Sequence, residues 1–592
     1  MLAGPLVTRE LVTDPRKFKH FGIRAGYVAA LSILMYTGAQ ATFALAPPRG
    51  LGDIARFGVF IFGLLSFVQL AVVIGTSLLF TAGSIAQEKD RRTLILLLMT
   101  DLRATELVIG KIIASLIPVF VIIAVSIPVF TSLTMLGGMT FNQVFWFEVL
   151  CLVSAFVAGS WGTLIAYWRD KTFQTIAITL LGAGLFLGAV EAFVLIVGEE
   201  STVGALIGGL NPFRSLNQLL HPLTSQPDVV NPQISAWTSS ISLLGLASIL
   251  TTWTCLKVRI WNPTRNVFIR TSEEKSSTEQ IAHSEGQKQV IEAQSAPDQS
   301  KRKIWDTPII WREICTSAYG KKVGLIKGAY FIVAVAFILW LRQIPSDAPL
   351  MMGIISPTGF AFLMLSLVSL ILVNAQSVTS LTSERDGQTL ELLLVTEVSA
   401  KEFIFGKMGG ALFNMKEVVL VPLLFASMAW VNGEYGLESY IFITLGYLTL
   451  VLFANSLGIH SGLSFDNSRS AILNSLGTIF FLFVGVFVCM MLIVEARSSF
   501  AWQLAPFFFF ICGGSLGLWM SLTHKNPSSA LTVCAWVLPF LTFYGIVSYL
   551  LGNTAAVFMS VLFPFGFTVA AILIPAISAF DVALGRTTVD RG

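Results

Sequence analysis

The chain has 592 residues, 55% of them hydrophobic and only 12% charged, about half the charged fraction of a soluble globular protein. Folded surfaces need polar cover, so a chain this apolar does not fit a water-soluble fold of the same length. A net charge of +4 is too small to imply a nucleic-acid partner.

Arg9, Glu10, Arg16, Lys17 and Lys19 precede the first apolar run. This start is too long and too acidic for a cleavable signal, and no small-residue cleavage site follows, so the first span is expected to stay. Apolar runs of about 20 residues, enough to cross a hydrocarbon core of roughly 30 Å, then recur along the whole chain. Six are predicted in the first half: 24–46, 57–81, 108–135, 143–166, 173–197 and 236–256. Eight follow: 326–343, 357–381, 404–431, 438–463, 470–494, 500–521, 530–551 and 554–580, the last two readable as spanning or re-entrant. The expected fold is all-α, a polytopic transmembrane helix bundle of 12–14 spans. The stretch 198–235, with Asn211-Pro212-Phe213, is the longest outer loop and reads as a cap over an exit. Residues 271–303 contain no aromatic residue and are rich in Ser, Gln, Glu and Lys, the composition of a disordered linker. The expected organisation is a first half over 1–270, a linker over 271–304, and a second half over 305–592. The second half has about six spans plus a C-terminal span pair.

Lys and Arg placement sets the expected orientation. With the N-terminus in the cytoplasm, only Arg49, Arg56, Arg214, Arg342 and Arg497 fall outside, five of the 38, as the positive-inside rule requires. Both termini are then cytoplasmic. The six cysteines form no CxxC pair and the five histidines lack ligand spacing. No metal site and no catalytic residue is expected.

The chain repeats itself. SIAQEKDRRTLILLLMTDLRATELVIGK (84–111) aligns without a gap on SLTSERDGQTLELLLVTEVSAKEFIFGK (380–407) at an offset of 296, with 13 of 28 positions identical. The same offset aligns the flanking spans and places Asp170 opposite Asp466. Upstream, PLVTRELVT (5–13) resembles PIIWREICT (308–316), matching Arg9 with Arg312 and Glu10 with Glu313. Both copies carry the charged loop on the same side, so the halves form a parallel repeat about an axis along the membrane normal.

Within the loop, Glu88 and Asp90 stand before Thr93 and a Leu-rich turn. Thr100 or Asp101 is placed to cap the next helix, with Glu106 in its early turns favoured by the helix dipole. The helix before it is amphipathic and is expected along the membrane face. Any polytopic chain needs charged connectors. A connector duplicated with its acids, threonines and Gly-Lys intact suggests two equivalent docking sites for a cytoplasmic partner.

The pattern E-(K/R)-D-x-x-T-L-x-L-L-L-x-T-(D/E)-x-x-A-x-E-x-x-x-G-K resembles the cytoplasmic loop of ABC-2 type transporter permeases. The common form there is close to E-x-x-x-G-T-L-E-x-L-L, with a downstream G-K at the third span. Residues 384–394 follow it more closely, with Gly387 and Glu391, whereas 88–98 carry Arg91 and Ile95 at those places. The resemblance implies coupling helices at 84–99 and 380–395. Their partner-binding residues would be Glu88, Asp90, Thr93, Leu94 and Leu97, and Glu384, Asp386, Gly387, Thr389, Leu390, Glu391 and Leu393. It implies interfacial elbow helices at 5–20 and 308–323. It also implies a plasma (inner) membrane exporter served by separate cytoplasmic ABC ATPase subunits, two per chain. No cofactor is then bound by this chain, and ATP-Mg sits on the partner. A phosphate loop needs G-x-x-x-x-G-K-[ST]. None of the Gly-Lys pairs at 110–111, 320–321 and 406–407 has the earlier Gly or a following Ser or Thr.

Charges within apolar spans are functional candidates. Lys416 and Glu417 are candidates for lining a substrate path or for snorkelling, and their first-half counterparts are Phe120 and Val121. Glu148 and Glu191 are expected at the interface, and Pro118, Pro128, Pro422 and Pro539 at kinks. Two rival functions remain compatible with the residues: an ion-coupled secondary transporter and a non-transporting scaffold.

Overall fold

The computed structural model describes residues 18–43, 50–100, 102–198, 201–220, 236–262, 308–315, 323–344, 350, 355–387, 398–496, 500–524 and 528–583. Among these the regular elements are helices. Inside a bilayer this is the way for an unpaired segment to satisfy every backbone N–H and C=O internally. The first half contains α1 (Phe18–Phe43), α2 (Leu51–Asp90), a short α3 (Thr93–Met99), α4 (Ala104–Leu133), α5 (Phe141–Trp168) and α6 (Thr172–Val197). It continues through two short helices, α7 (Thr202–Gly208) and α8 (Pro212–Leu220), to α9 (Ala236–Trp261). The second half contains α10 (Pro308–Cys315), α11 (Val323–Gln343), α12 (Pro357–Asp386), α13 (Ala400–Val431), α14 (Leu437–Ser464) and α15 (Ser468–Ala496). It closes with α16 (Phe500–Leu522), α17 (Ser529–Leu550) and α18 (Thr554–Ala583).

Twelve of these helices are long and apolar enough to cross a membrane, and the chain is a multi-pass membrane protein. The two predicted spans outside that set are α1 and α16. α1 carries Arg24, Gln40 and several Gly and Thr residues, and α16 runs 23 residues from Phe500 to Leu522, of which Phe507–Leu522 is its apolar run among the described residues. Both α17 and α18 have spanning length.

Helix boundaries repeat at the offset of 296. α4 and α13 begin at Ala104 and Ala400, α5 and α14 run Phe141–Trp168 and Leu437–Ser464, and α2 and α12 end at Asp90 and Asp386. Packing repeats too: α2 lies on α5 and α5 on α9, while α12 lies on α14 and α14 on α18. The last helix of the second half therefore matches α9. The helices inserted between the fifth and last spans are the short α7–α8 in one half and the long hairpin α16–α17 in the other. The C-terminal pair of the sequence reading, α17 and α18, packs on itself.

One glycine pair explains how close these helices come. A Cβ on Gly162 would collide with Thr81 Oγ1 and come within 3.0 Å of Leu78 O. A Cβ on Gly458, the equivalent residue, would stand 2.7 Å from Ser377 Cβ and 2.9 Å from Asn374 O. The fifth spans cross over. α6 packs against α11 and α12, and α15 packs against α1 and α2. Ile176, Ala177 and Leu181 of α6 belong to the second-half core, and Val488, Leu492 and Ile493 of α15 to the first-half core.

Candidate functional site

The charged loop of the first half is shaped by one residue. α2 ends at Asp90, and Arg92 takes a left-handed conformation, φ +58°. That conformation is uncommon for a residue with a side chain and turns the chain sharply into α3. Thr93 Oγ1 donates to Glu88 O at 3.3 Å, holding the start of α3 to the end of α2. On α3, Leu94 is buried and Leu98 packs on the core, whereas Leu96 and Met99 are 65% and 55% exposed. Residues three apart share a helix face, so Leu96 and Met99 form an apolar edge at the loop's surface. Leu94, expected to face a partner, instead anchors the helix, because the turn at Arg92 points it inward. Leu97 is half-buried.

The expected cap on the next helix is corrected. Thr100 closes α3 by donating to Leu97 O at 2.6 Å, and Asp101 lies outside the described residues. α4 is capped by Glu106, whose carboxylate accepts the Arg103 backbone N–H at 3.2 Å. In the second half the equivalent Ser399 accepts the Glu402 N–H at 3.2 Å.

Beneath each loop lies the same set of polar ties. Lys111 on α4 grips Glu88 on α2, and Lys407 on α13 holds Glu384 on α12 at 2.7 Å. Lys89 donates to Tyr167 O and Arg169 O at 2.7 and 2.9 Å. Arg385 likewise donates to Gly462 O at 2.9 Å and to Phe465 O, so each braces the carbonyl end of the fourth span. Asp90 accepts from Thr172 Oγ1 at the first residue of α6, and Asp386 from Ser468 Oγ at the first residue of α15. A carboxylate there is favoured by the free N–H groups of the helix start. Between α5 and α6, the Arg169 guanidinium stacks on the Trp168 ring at 3.3 Å. Burial pulls its pKa down while Asp170 opposes this.

The second-half clasp includes the leading helix. α10 packs along α13, and its Glu313 meets Lys407 Nζ at 2.6 Å with both side chains about 1% exposed. Arg312 reaches both Glu313 and Glu384. Two cations and two anions thus neutralise one another, with Lys407 and Glu313 out of water and Arg312 and Glu384 at the edge, 32% and 16% exposed, as buried charges require partners. Ile309 and Glu313 approach α13 closely because Gly406 and Gly410 have no Cβ; one there would stand 2.7 Å and 2.5 Å from them. Arg9 and Glu10, the first-half counterparts, lie outside the described residues.

The loops also touch each other. Arg91 donates to Asn467 Oδ1 at 3.0 Å and stands 3.6 Å from Asp386 Oδ1. Arg469 on α15 lies 5.2 Å from the Phe80 ring centroid on α2. Arg91, where the second loop has Gly387, is therefore a cross-half ion-pair partner. Gly387 itself ends α12, donating its N–H to Ser383 O at 3.0 Å. Thr389, Leu390, Glu391 and Leu393 lie outside the described residues.

The charges within the spans each have definite surroundings. Glu417 pairs with Lys327 of α11 at 2.6 Å, and Lys416 lies exposed over the Phe413 ring at 4.2 Å. Glu148 is buried within the bundle. Gln69 Nε2 donates to its Oε2 at 3.3 Å and to Ser126 Oγ at 2.8 Å, and Tyr27 donates to Gln69 Oε1 at 2.9 Å. Glu191 is half-exposed and ties α6 to the α7–α8 hairpin, through Asn211 at 2.7 Å and Arg214 at 3.7 Å. Sequence reasoning assigned no role to Lys111 and Lys407, although their identity in both copies was a usable signal. Leu96 and Met99 could not be chosen over Leu94 and Leu97 without the turn at Arg92.

No group of three or more His, Cys, Asp or Glu residues able to hold a metal occurs among the described residues. Residues 268–507 match the family described as ABC-2 family transporter protein. No curated protein matches the chain.

Proposed function

We propose that this chain, which carries an ABC-2 family transporter domain over residues 268–507, is the membrane permease of an ATP-driven exporter. Separate cytoplasmic ABC ATPase subunits supply the hydrolysis and dock on loops 84–99 and 380–395, two per chain. The observation that carries the reading is the repeated clasp: Glu88–Lys111 and Glu384–Lys407 lock each loop to the following span. A push on a loop so fixed moves α4 or α13 as a body. The apolar edge Leu96–Met99 offers a surface for the push to arrive on. Asp90 and Asp386 extend the linkage to α6 and α15, which cross into the opposite half. In this reading ATP-Mg binds only to the partner, the chain sits in the plasma membrane, and both termini are cytoplasmic.

The test is co-purification of the chain with an ABC ATPase and measurement of stimulated ATP hydrolysis. The double substitution Leu96→Asp, Met99→Asp is expected to reduce both the bound ATPase and the stimulation while leaving the chain folded. Unchanged binding and stimulation would remove the coupling role. Transport by the purified chain alone in an ion gradient would replace the reading with a secondary transporter.

A further inference from the structure

The two halves differ most in what lies between their fifth and last spans. In the second half α17 fills this space, packing against α15 and α18. Leu531, Cys534, Ala535 and Leu538 of α17 are buried in one core with Ile479 and Phe453. Among the described residues the corresponding first-half insertion is the short α7–α8 hairpin, and against it lies a cavity of about 120 Å³. Its walls include Leu78, Trp161, Leu187 and Leu246, and its roof is Leu210 and Pro212 of the hairpin. Ser154 also lines it, and the Trp161 indole N–H is already donated to Thr179 O at 3.0 Å. At the offset of 296 Val157 corresponds to Phe453, whose ring meets Phe565 of α18 at 5.0 Å, so a ring fills the equivalent position in the second half.

We propose that this groove holds one acyl chain of a bilayer phospholipid. Its position within spanning helices and its nearly uniform apolar wall demand an apolar occupant. A partner helix is excluded by shape. A spanning helix with side chains is about 10 Å wide, which a cavity of about 120 Å³ does not admit. A flexible chain fits beneath the roof and leaves through the open side. The rim supplies the match for a headgroup. Glu191 stands one turn beyond Leu187 on the same face of α6, and it is paired with Asn211 and Arg214 of the hairpin. A carboxylate beside a guanidinium complements a zwitterionic headgroup, with Arg214 facing the phosphate and Glu191 the ammonium.

The full chain is reconstituted with a zwitterionic phospholipid carrying a photoreactive group midway along one acyl chain, irradiated, and its labelled peptides are mapped. Label is expected to concentrate on 154–161, 183–187 and 243–250, above that on the exposed α11 residues Phe331, Ile332 and Leu339. Val157→Phe, which copies the second half, is expected to abolish the groove label and leave the α11 label. Leu246→Phe narrows the groove from the opposite wall and serves if Val157→Phe does not fold. Native mass spectrometry of the unmodified chain is expected to retain one phospholipid mass. Equal labelling of groove and α11, label unaffected by either substitution, or a retained free fatty acid instead of a phospholipid would each overturn the proposal.

Discussion

Lys407 and Lys111 occupy the same place in the repeat, yet their surroundings differ, and stability should reveal it. Lys407 is about 1% exposed between two carboxylates, whereas Lys111 is 11% exposed and its carboxylate partner among the described residues, Glu88, is 21% exposed. Removing one partner of a buried pair leaves an uncompensated charge and costs about 3–5 kcal/mol. Lys407→Met is therefore expected to lower the thermal unfolding midpoint in detergent markedly, and Lys111→Met clearly less. Glu148 provides a second contrast. With Glu148→Gln the side chain can still bond to Gln69 and Ser126, whereas Glu148→Leu leaves one Gln69 N–H without its acceptor at a cost of about 1–3 kcal/mol. The unfolding midpoint should fall more for Leu than for Gln, and the reverse order would mean the network contributes little. What was legible at this scale was identity: the repeated Glu, Asp and Lys were visible as pairs. Their partners were not, because Lys327 reaches Glu417 across 90 residues and no local period encodes such a contact.

At the scale of elements, apolar run length located the spans well, since the bilayer imposes it directly. Where helices start and stop at the loops depended on finer geometry. The cap of α4 falls on Arg103 and Glu106 rather than on Thr100, because α3 intervenes and uses Thr100 for its own end. The glycines that set helix spacing were also unremarked, since a glycine within an apolar run has no distinctive pattern of its own. Their role is testable. Gly458→Ala puts a methyl against Ser377 and the Asn374 carbonyl, and a backbone atom cannot swing aside as a side chain can. Overpacking of this kind costs about 1–3 kcal/mol. Gly446→Ala, on the same helix with nothing within 4 Å of the added Cβ, is the control and is expected to be neutral. Equal unfolding midpoints for the two variants would show that α12 and α14 can part without cost.

For the molecule as a whole, the repeat was plain in the sequence, but the exchange between its halves was not. A constant offset states which helices are equivalent and is silent on which half each one packs against. The fifth spans have nearly uniform apolar faces, so periodicity gave no direction to their packing. The structure places α6 on α11 and α12, and α15 on α1 and α2, with Arg91–Asp386 and Arg469–Phe80 joining the loop ends. Two halves so interleaved are held by buried packing on both sides, not by the peptide that links them. A protease site introduced between residues 271 and 303 should therefore give two fragments that co-elute as one particle in mild detergent and unfold in one transition. Asp386→Asn in the cut protein weakens the tie to Arg91 and is expected to lower the detergent concentration at which the fragments separate, with little effect on either fragment's helicity. Separation of the cut wild-type halves without added denaturant would contradict the crossed packing. Separation unchanged by Asp386→Asn would confine the inter-half attachment to the apolar spans and leave the loop-end ion pair without a share in it.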